Sequence, residues 1–309
     1  MRKYNIAMFA AGILIVLGII FYADPLKLAG IMATADVGLL FLAILLSTVS
    51  LLLRVLKWSM LVGVGFFELM PIQMLGITIS NFTPGKVAEP IKAVLLKMKT
   101  NKPVSETLPS IFWERILDIT VLLLLSAITM NMFAGLFVFF VAGAGMFAAF
   151  VVLLILLVCS KGFGMKFFSL AKKLPILKRI SPDFVNSFYK TKIGNSRIAG
   201  AFAVTFVPWV LDGIVLFLVL LSLGTNAPLL LMPGVVALSV ILGVASSLPG
   251  GLGTTEIVMS MVLINFGIGS SVAIAAVLIS RLMSFWYGTF FGSLSFIYLS
   301  KRIGMKNIF

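Results

Sequence analysis

Residues 246–256 read Ser-Ser-Leu-Pro-Gly-Gly-Leu-Gly-Thr-Thr-Glu, set inside an otherwise apolar stretch. Pro249 has no amide hydrogen, and Gly250, Gly251 and Gly253 have no β-carbon, so a continuous helix is not expected there. Thr254 or Thr255 is placed to cap a helix that resumes beyond the break, with Glu256 in its first turn. Residues 81–90, Asn-Phe-Thr-Pro-Gly-Lys-Val-Ala-Glu-Pro, repeat the device, with Pro84 and Gly85 at the break and Lys86 and Glu89 after it. Helix breakers at membrane depth are tolerated only where the backbone is buried in protein or lines a cavity. A plain surface loop is the simpler reading of either break, and the second copy weakens it.

Membrane depth follows from composition. Of 309 residues, 61% are hydrophobic and 11% charged, and the mean hydropathy is +1.18. A soluble domain of that make-up would lack the polar surface to cover itself, so an all-α polytopic membrane protein is expected. The net charge of +14 comes from 24 Lys/Arg against 10 Asp/Glu. In a membrane protein this excess marks cytoplasmic loops facing anionic lipid rather than nucleic-acid binding. There is no histidine, which removes the commonest general base and metal ligand together, and neither a cofactor nor a metal site is expected. The single cysteine, Cys159, has no partner for an internal disulfide and is read as inert. Arg2-Lys3 followed by apolar residues 6–22 mimics a signal peptide, but Phe21-Tyr22-Ala23 is a poor cleavage site, so a retained first span is expected.

Taken in order, span one covers about 5–22, and a short loop with Asp24 and Lys27 leads to span two at about 37–56. Arg54, Lys57 and Trp58 close that span as a cytoplasmic interface. Two apolar pieces follow, about 69–82 and 87–98. A helix of about 14 residues rises only about 21 Å, against about 30 Å of hydrocarbon, so neither piece spans alone. Together they read as a re-entrant hairpin whose exit carries Lys92, Lys97, Lys99 and Lys102 on the cytoplasmic side. Span three is about 110–131 and span four about 135–158. Residues 160–198 carry nine Lys/Arg and one acid, Asp183, and read as a cytoplasmic connection with an amphipathic piece at about 165–180. Span five is about 199–222. Residues 228–247 and 254–266 flank the glycine-rich break, and the loops beside them carry no positive charge, so this hairpin enters from outside. The last span, about 272–299, holds Arg281, and Lys301-Arg302 returns the chain to the cytoplasm.

The order span, span, hairpin, span thus occurs twice, at about 5–131 and 135–299. Three full spans per unit invert the second copy, giving six spans and two hairpins within one transmembrane domain, 1–309. The rival count, with each hairpin as two crossing helices, is eight or more spans. Glu89 precedes Arg115 by 26 residues and Glu256 precedes Arg281 by 25. Interrupted segments at matching positions of two inverted halves point to a transport site near the midplane.

Arg115, Asp118, Asp212, Glu256 and Arg281, with Lys86 and Glu89 at a hairpin tip, fall inside or near the hydrocarbon. Each such charge costs about 2.5–3.5 kcal/mol at the centre, so it needs a partner or a wet cavity. The simple account is pairing: Arg115 with Asp118 at i,i+3, and glutamate with arginine between helices. The sharper account is an anion site. The hairpin tips, Asn81 to Lys86 and Pro249 to Thr254, would offer unpaired amides and the positive end of a helix dipole. Lys86, Arg115 and Arg281 would add positive charge, and Glu89 and Glu256 would orient them. A cation site on the carboxylates and a purely structural role stay open.

These stretches resemble a known family. Asn81 to Glu89, then Glu114-Arg115-Ile-Leu-Asp118, then Leu248-Pro-Gly-Gly-Leu-Gly-Thr-Thr-Glu256 and Arg281 are similar to the lysylphosphatidylglycerol synthase transmembrane-region family. It includes the flippase-like part of the multiple peptide resistance factor and many stand-alone prokaryotic membrane proteins. The resemblance covers essentially the whole chain; Ala88 stands where that family often has glycine. It implies lipid translocation between leaflets. It does not imply aminoacyl transfer, which in the multiple peptide resistance factor resides in a soluble C-terminal domain that this sequence, ending at Phe309, does not contain.

The leading expectation is therefore a flippase for an anionic phospholipid or a polyprenyl-phosphate-linked lipid, in the plasma membrane with both termini cytoplasmic. An ion-coupled transporter of a small anionic solute is the near alternative. An intramembrane lipid-phosphate enzyme would need a nucleophile or metal site that the sequence does not offer, and a structural subunit of a membrane glycosyltransferase is a third class. Gly85-Lys86 lacks the flanking residues of a P-loop, so no nucleotide is expected to drive transport.

Overall fold

The computed structural model describes residues 2–86, 88–130, 137–171 and 182–303, and every regular element among them is helical. The first half runs α1 (Arg2–Tyr22), α2 (Pro25–Ala33), α3 (Val37–Val62), α4 (Phe66–Asn81), α5 (Ile91–Thr100) and α6 (Val104–Met130), with a tight 3-10 turn at Pro84–Lys86. The second half runs α7 (Phe137–Cys159), α8 (Lys161–Ala171), α9 (Pro182–Lys190), α10 (Asn195–Ser222), α11 (Met232–Ala245), α12 (Thr254–Asn265), α13 (Ser270–Arg281) and α14 (Tyr287–Ile303). A 3-10 turn at Pro249–Gly251 separates α11 from α12, and a π turn at Leu282–Trp286 joins α13 to α14. Asp24 is not in an open loop as expected. Its carboxylate accepts from the amides of Leu26 (3.1 Å) and Lys27 (3.4 Å) and starts α2, whose first residue is Pro25.

The centre of the bundle is the antiparallel pair α3 and α10. The amide of Asp36, which caps α3, donates to Ser222 O at the end of α10 (2.9 Å), and Ser50 Oγ donates to Pro208 O (3.3 Å) further along. A helix pair needs small residues where backbones close up. A β-carbon on Gly213 of α10 would fall 2.3 Å from the nitrogen of Pro233 in the first turn of α11. Two apolar cores flank this axis. One joins Val215, Leu216 and Val219 of α10 to Val235, Leu263 and Ala276; the other joins Val55 and Trp58 of α3 to Leu69, Leu75, Leu95 and Leu96.

Each Pro-Gly break folds back on itself as a helical hairpin. Lys99 near the end of α5 donates to Glu68 O near the start of α4 (2.5 Å), and Lys102 donates to Val62 O (2.6 Å), so α5 retraces α4. The first helix of each hairpin also leans on the last long helix of the other half. α4 packs on α14 and α11 packs on α6, where Thr129 Oγ1 donates to Leu231 O (3.1 Å).

Length and composition support fewer spans than the six expected. Among the described residues, three helical stretches are long and apolar enough to cross a membrane: α3, α10 and the joined α13–α14. The number rises to five if the bent pairs α1–α2 (81°) and α7–α8 (106°) each count as one. α6 is long enough at 27 residues, but Glu106, Glu114, Arg115 and Asp118 interrupt its apolar character. α3 runs six residues past the expected end near 56. Of the amphipathic piece expected at 165–180, the part beyond Ala171 lies outside the described residues, as does the junction at 131–136.

The Gly213 contact makes a direct test. Gly213→Ala forces α10 and α11 apart and should destabilise by about 1–3 kcal/mol, read as a lower thermal unfolding midpoint in detergent. Gly30→Ala on α2, with nothing within 4 Å of its added methyl, should leave the midpoint unchanged or raise it slightly.

Candidate functional site

The two breaks meet. Arg281 Nη2 donates to Gly250 O (3.0 Å), and a β-carbon on Gly250 would lie 3.3 Å from Asn81 O and 2.5 Å from the Phe285 ring. Gly85 and Gly250 both adopt the left-handed region, with φ of 58° and 64°, which is why glycine follows proline at each turn. Phe82 joins the tips edge-on, with its ring 5.6 Å from Phe9 of α1 and 6.5 Å from Phe285.

A cavity of about 150 Å³ sits at this junction. Of the residues singled out from sequence, Asn81, Gly85, Lys86, Glu89, Arg115, Asp118, Asp212, Gly250, Gly251 and Arg281 line it. Pro84, Pro249, Gly253, Thr254 and Glu256 do not; they shape the turns or stand behind the wall. A second, apolar pocket of about 450 Å³ lies between α6, α7 and α11, with Ile119, Leu122, Phe150, Leu154 and Ile241 in its wall. Gly85, Lys86, Glu89, Arg115, Asp118, Trp209, Val240 and Val244 belong to both linings.

The charges form a chain of shared ion pairs. Arg115 Nε pairs with Glu89, whose other oxygen accepts from Lys92 (3.1 Å). Lys92 also donates to Glu114 (2.5 Å) and to Gln73 Oε1 (3.1 Å), and Gln73 Nε2 returns a bond to Glu114 (2.8 Å). Lys57 reaches Glu114 (3.6 Å) and Asp118 (2.8 Å), and Trp209 Nε1 also donates to Asp118 (3.0 Å). Arg54 pairs with Asp212 (2.7 Å), which accepts from Ser50 as well (2.8 Å). Across the cavity, Arg281 Nε pairs with Glu256 (2.6 Å).

The spacings of 26 and 25 residues thus correspond to two glutamate–arginine contacts. Three other expectations are corrected. Asp118 does not pair with Arg115; Lys57 and Trp209 take it, because both project at it from neighbouring helices. Neither Thr254 nor Thr255 caps α12. Gly253 occupies the cap, and Glu256 Oε2 accepts its amide (2.7 Å), so a resident carboxylate already sits where free amides were expected. At the first tip the amides of Lys86, Ala88 and Glu89 are likewise bonded within the turn. The site is therefore built from side chains rather than from helix ends.

Sequence reasoning placed Arg54 and Lys57 at an interface and Lys92 at a cytoplasmic exit. The structure buries Lys57 to 1% exposure and Lys92 to 0%. Signals for both were present. Arg54 and Lys57 are i,i+3 on one helix face, and Lys92 follows Glu89 by three residues.

Lys57→Met should destabilise by about 3–5 kcal/mol, because it strands Asp118 as a buried charge. Adding Asp118→Asn should recover a large part of that loss in the unfolding midpoint, since the stranded charge goes with it. Equal losses for the single and the double variant would show that Lys57 acts through packing alone.

The family described as Lysylphosphatidylglycerol synthase TM region matches residues 9–292. A UPF0104 membrane protein of Pyrococcus horikoshii is 24% identical, over 95% of this chain and 96% of its own length. Another from Methanothermobacter thermautotrophicus is 23% identical, over 99% and 98%, and one from Methanocaldococcus jannaschii is 23% identical, over 95% and 94%. With nearly the whole chain matched, and with the residues that carry the earlier resemblance gathered around one cavity, this multi-pass membrane protein belongs to the lysylphosphatidylglycerol synthase transmembrane-region family.

Proposed function

We propose that this protein translocates an anionic, phosphate-bearing lipid between leaflets without altering it covalently. The observation that carries this reading is the shared wall of the two chambers. A polar cavity edged by Lys86, Arg115 and Arg281 adjoins an apolar pocket through Lys86, Arg115, Trp209 and Val244. A small hydrophilic solute has no use for the second chamber, whereas an amphiphile uses both. Phe150 in the apolar wall is 44% exposed, which supports an opening from that pocket toward the acyl chains of the bilayer.

In this reading α4–α5 and α11–α12 are re-entrant hairpins entering from opposite faces, and α6 crosses the membrane with its charges turned to the bundle interior. The halves are inverted repeats. The reciprocal packing of each hairpin on the other half, and the two glutamate–arginine pairs, support that symmetry. The basic ends of α5 and the basic residues of 160–198 set the cytoplasmic side, with both termini there, in the plasma membrane. The lipid itself is the partner, and the absence of a phosphate-binding P-loop in the sequence leaves an ion gradient, a partner protein or no energy source at all, as in passive scrambling.

Vesicles containing the purified protein and headgroup-intact, tail-labelled lipids test the proposal. Wild type should speed the loss of outer-leaflet label. Val244→Phe, which fills the junction of the chambers, should slow it about tenfold or more while the unfolding midpoint holds, because rate follows access to a positioned path. Arg281→Ala and Glu256→Ala should also slow it. Equal rates for wild type and all three variants would discard the site.

A further inference from the structure

The charge balance of the polar cavity singles out one residue. Six cations, Arg54, Lys57, Lys86, Lys92, Arg115 and Arg281, either line it or pair with a residue that does. Five carboxylates, Glu89, Glu114, Asp118, Asp212 and Glu256, stand against them. Every cation but Lys86 has a carboxylate oxygen within 4.0 Å among the described residues. One positive charge is left over, and it belongs to Lys86, one of the residues that edge both chambers. Lys86 is also held at φ of 58°, a conformation uncommon for a residue with a side chain.

A second group in the same wall lacks a partner. Ser47 on α3 is among the residues that line the cavity and is 3% exposed, and its buried Oγ makes no hydrogen bond among the described residues. Buried hydroxyls are nearly always bonded, so a lone one on a residue of the chamber wall calls for a partner that a docked polar group can supply. Thr78 and Ser260 also carry unbonded buried hydroxyls, but neither lines this cavity.

Resting on the lipid-translocation reading, we propose that the site accepts a headgroup with a single negative charge, held by the Lys86 ammonium and the Ser47 hydroxyl. The chemical class is a phosphodiester rather than a phosphomonoester or a diphosphate. A phosphodiester brings one charge and neutralises the surplus. A monoester brings nearly two at neutral pH, and the second would be left uncompensated in a water-poor chamber. Arg115 and Arg281 are not the primary grips in this scheme, since glutamates already occupy them; they hold the wall to which Lys86 is attached.

The experiment uses the full chain in phosphatidylcholine nanodiscs at pH 7, titrated with short-chain phosphatidylglycerol, short-chain phosphatidic acid and inorganic phosphate. Phosphatidylglycerol should bind about tenfold or more tightly than phosphatidic acid, and inorganic phosphate more weakly still, as it brings no chains to the apolar pocket. Lys86→Gly keeps the left-handed backbone and should lose about tenfold for phosphatidylglycerol. Ser47→Ala should weaken the same binding severalfold without lowering the unfolding midpoint, a combination that a structural hydroxyl would not give. Phosphatidic acid binding as well as phosphatidylglycerol, or both variants binding like wild type, overturns the single-charge assignment. If lipid still crosses vesicles in that case, the translocation reading survives; if nothing binds and nothing crosses, both fall.

Discussion

Lys92 holds the first half of this molecule together. Its ammonium is fully buried and shared among Glu89, Glu114 and Gln73, and it lies over the ring of Trp58, 4.8 Å from the centroid. Through those contacts α5 is fastened to α3, α4 and α6 at once. A lone ammonium at that depth would be strongly unfavourable, and so would each lone carboxylate. Together with Lys57 and Arg115 they form a network in which every carboxylate has a cation. Such a network tolerates burial only when complete, so it fixes the position of the first tip more firmly than apolar packing alone.

The two halves achieve similar geometry with unequal polarity. Around the first tip lie Arg54, Lys57, Glu89, Glu114, Arg115 and Asp118; the second tip has the single Glu256–Arg281 pair, with Thr255, Ser280 and Ser284 nearby. Arg54 stacks over Trp209 at 4.3 Å and Arg281 over Phe285 at 4.5 Å, so each arginine is also covered by an aromatic face. The chamber thus has a densely charged side and a sparsely charged one.

Much of this was readable in the residues. The Pro-Gly breaks, their pairing into one region and the two glutamate–arginine partnerships all follow from local chemistry and spacing. Harder to read, despite the i,i+3 spacings, is which long side chains turn inward. Arg54, Lys57 and Trp58 look like a membrane boundary because a charge normally ends a span. Here α3 continues to Val62, since Lys57 finds Asp118 and Trp58 Nε1 finds Ser110 Oγ (3.1 Å) inside the bundle. The capping of α12 was misjudged for a related reason. The helix starts at Thr254, so Gly253 takes the cap position, and Glu256, three residues on, accepts the Gly253 amide. Both are tertiary solutions that a one-dimensional pattern leaves open.

The π turn at Leu282–Trp286 sets the gearing between the two hairpins. Before it, Arg281 faces the second tip; after it, Gly292 packs so closely on α4 that an added β-carbon would fall 1.8 Å from Thr78 Oγ1. One surplus residue in that turn offsets the downstream face by about 100° relative to a plain α-helix. The length of 282–286 is therefore a phase setting. A one-residue deletion in that stretch would rotate Gly292 away from its seat and uncouple one hairpin from the other.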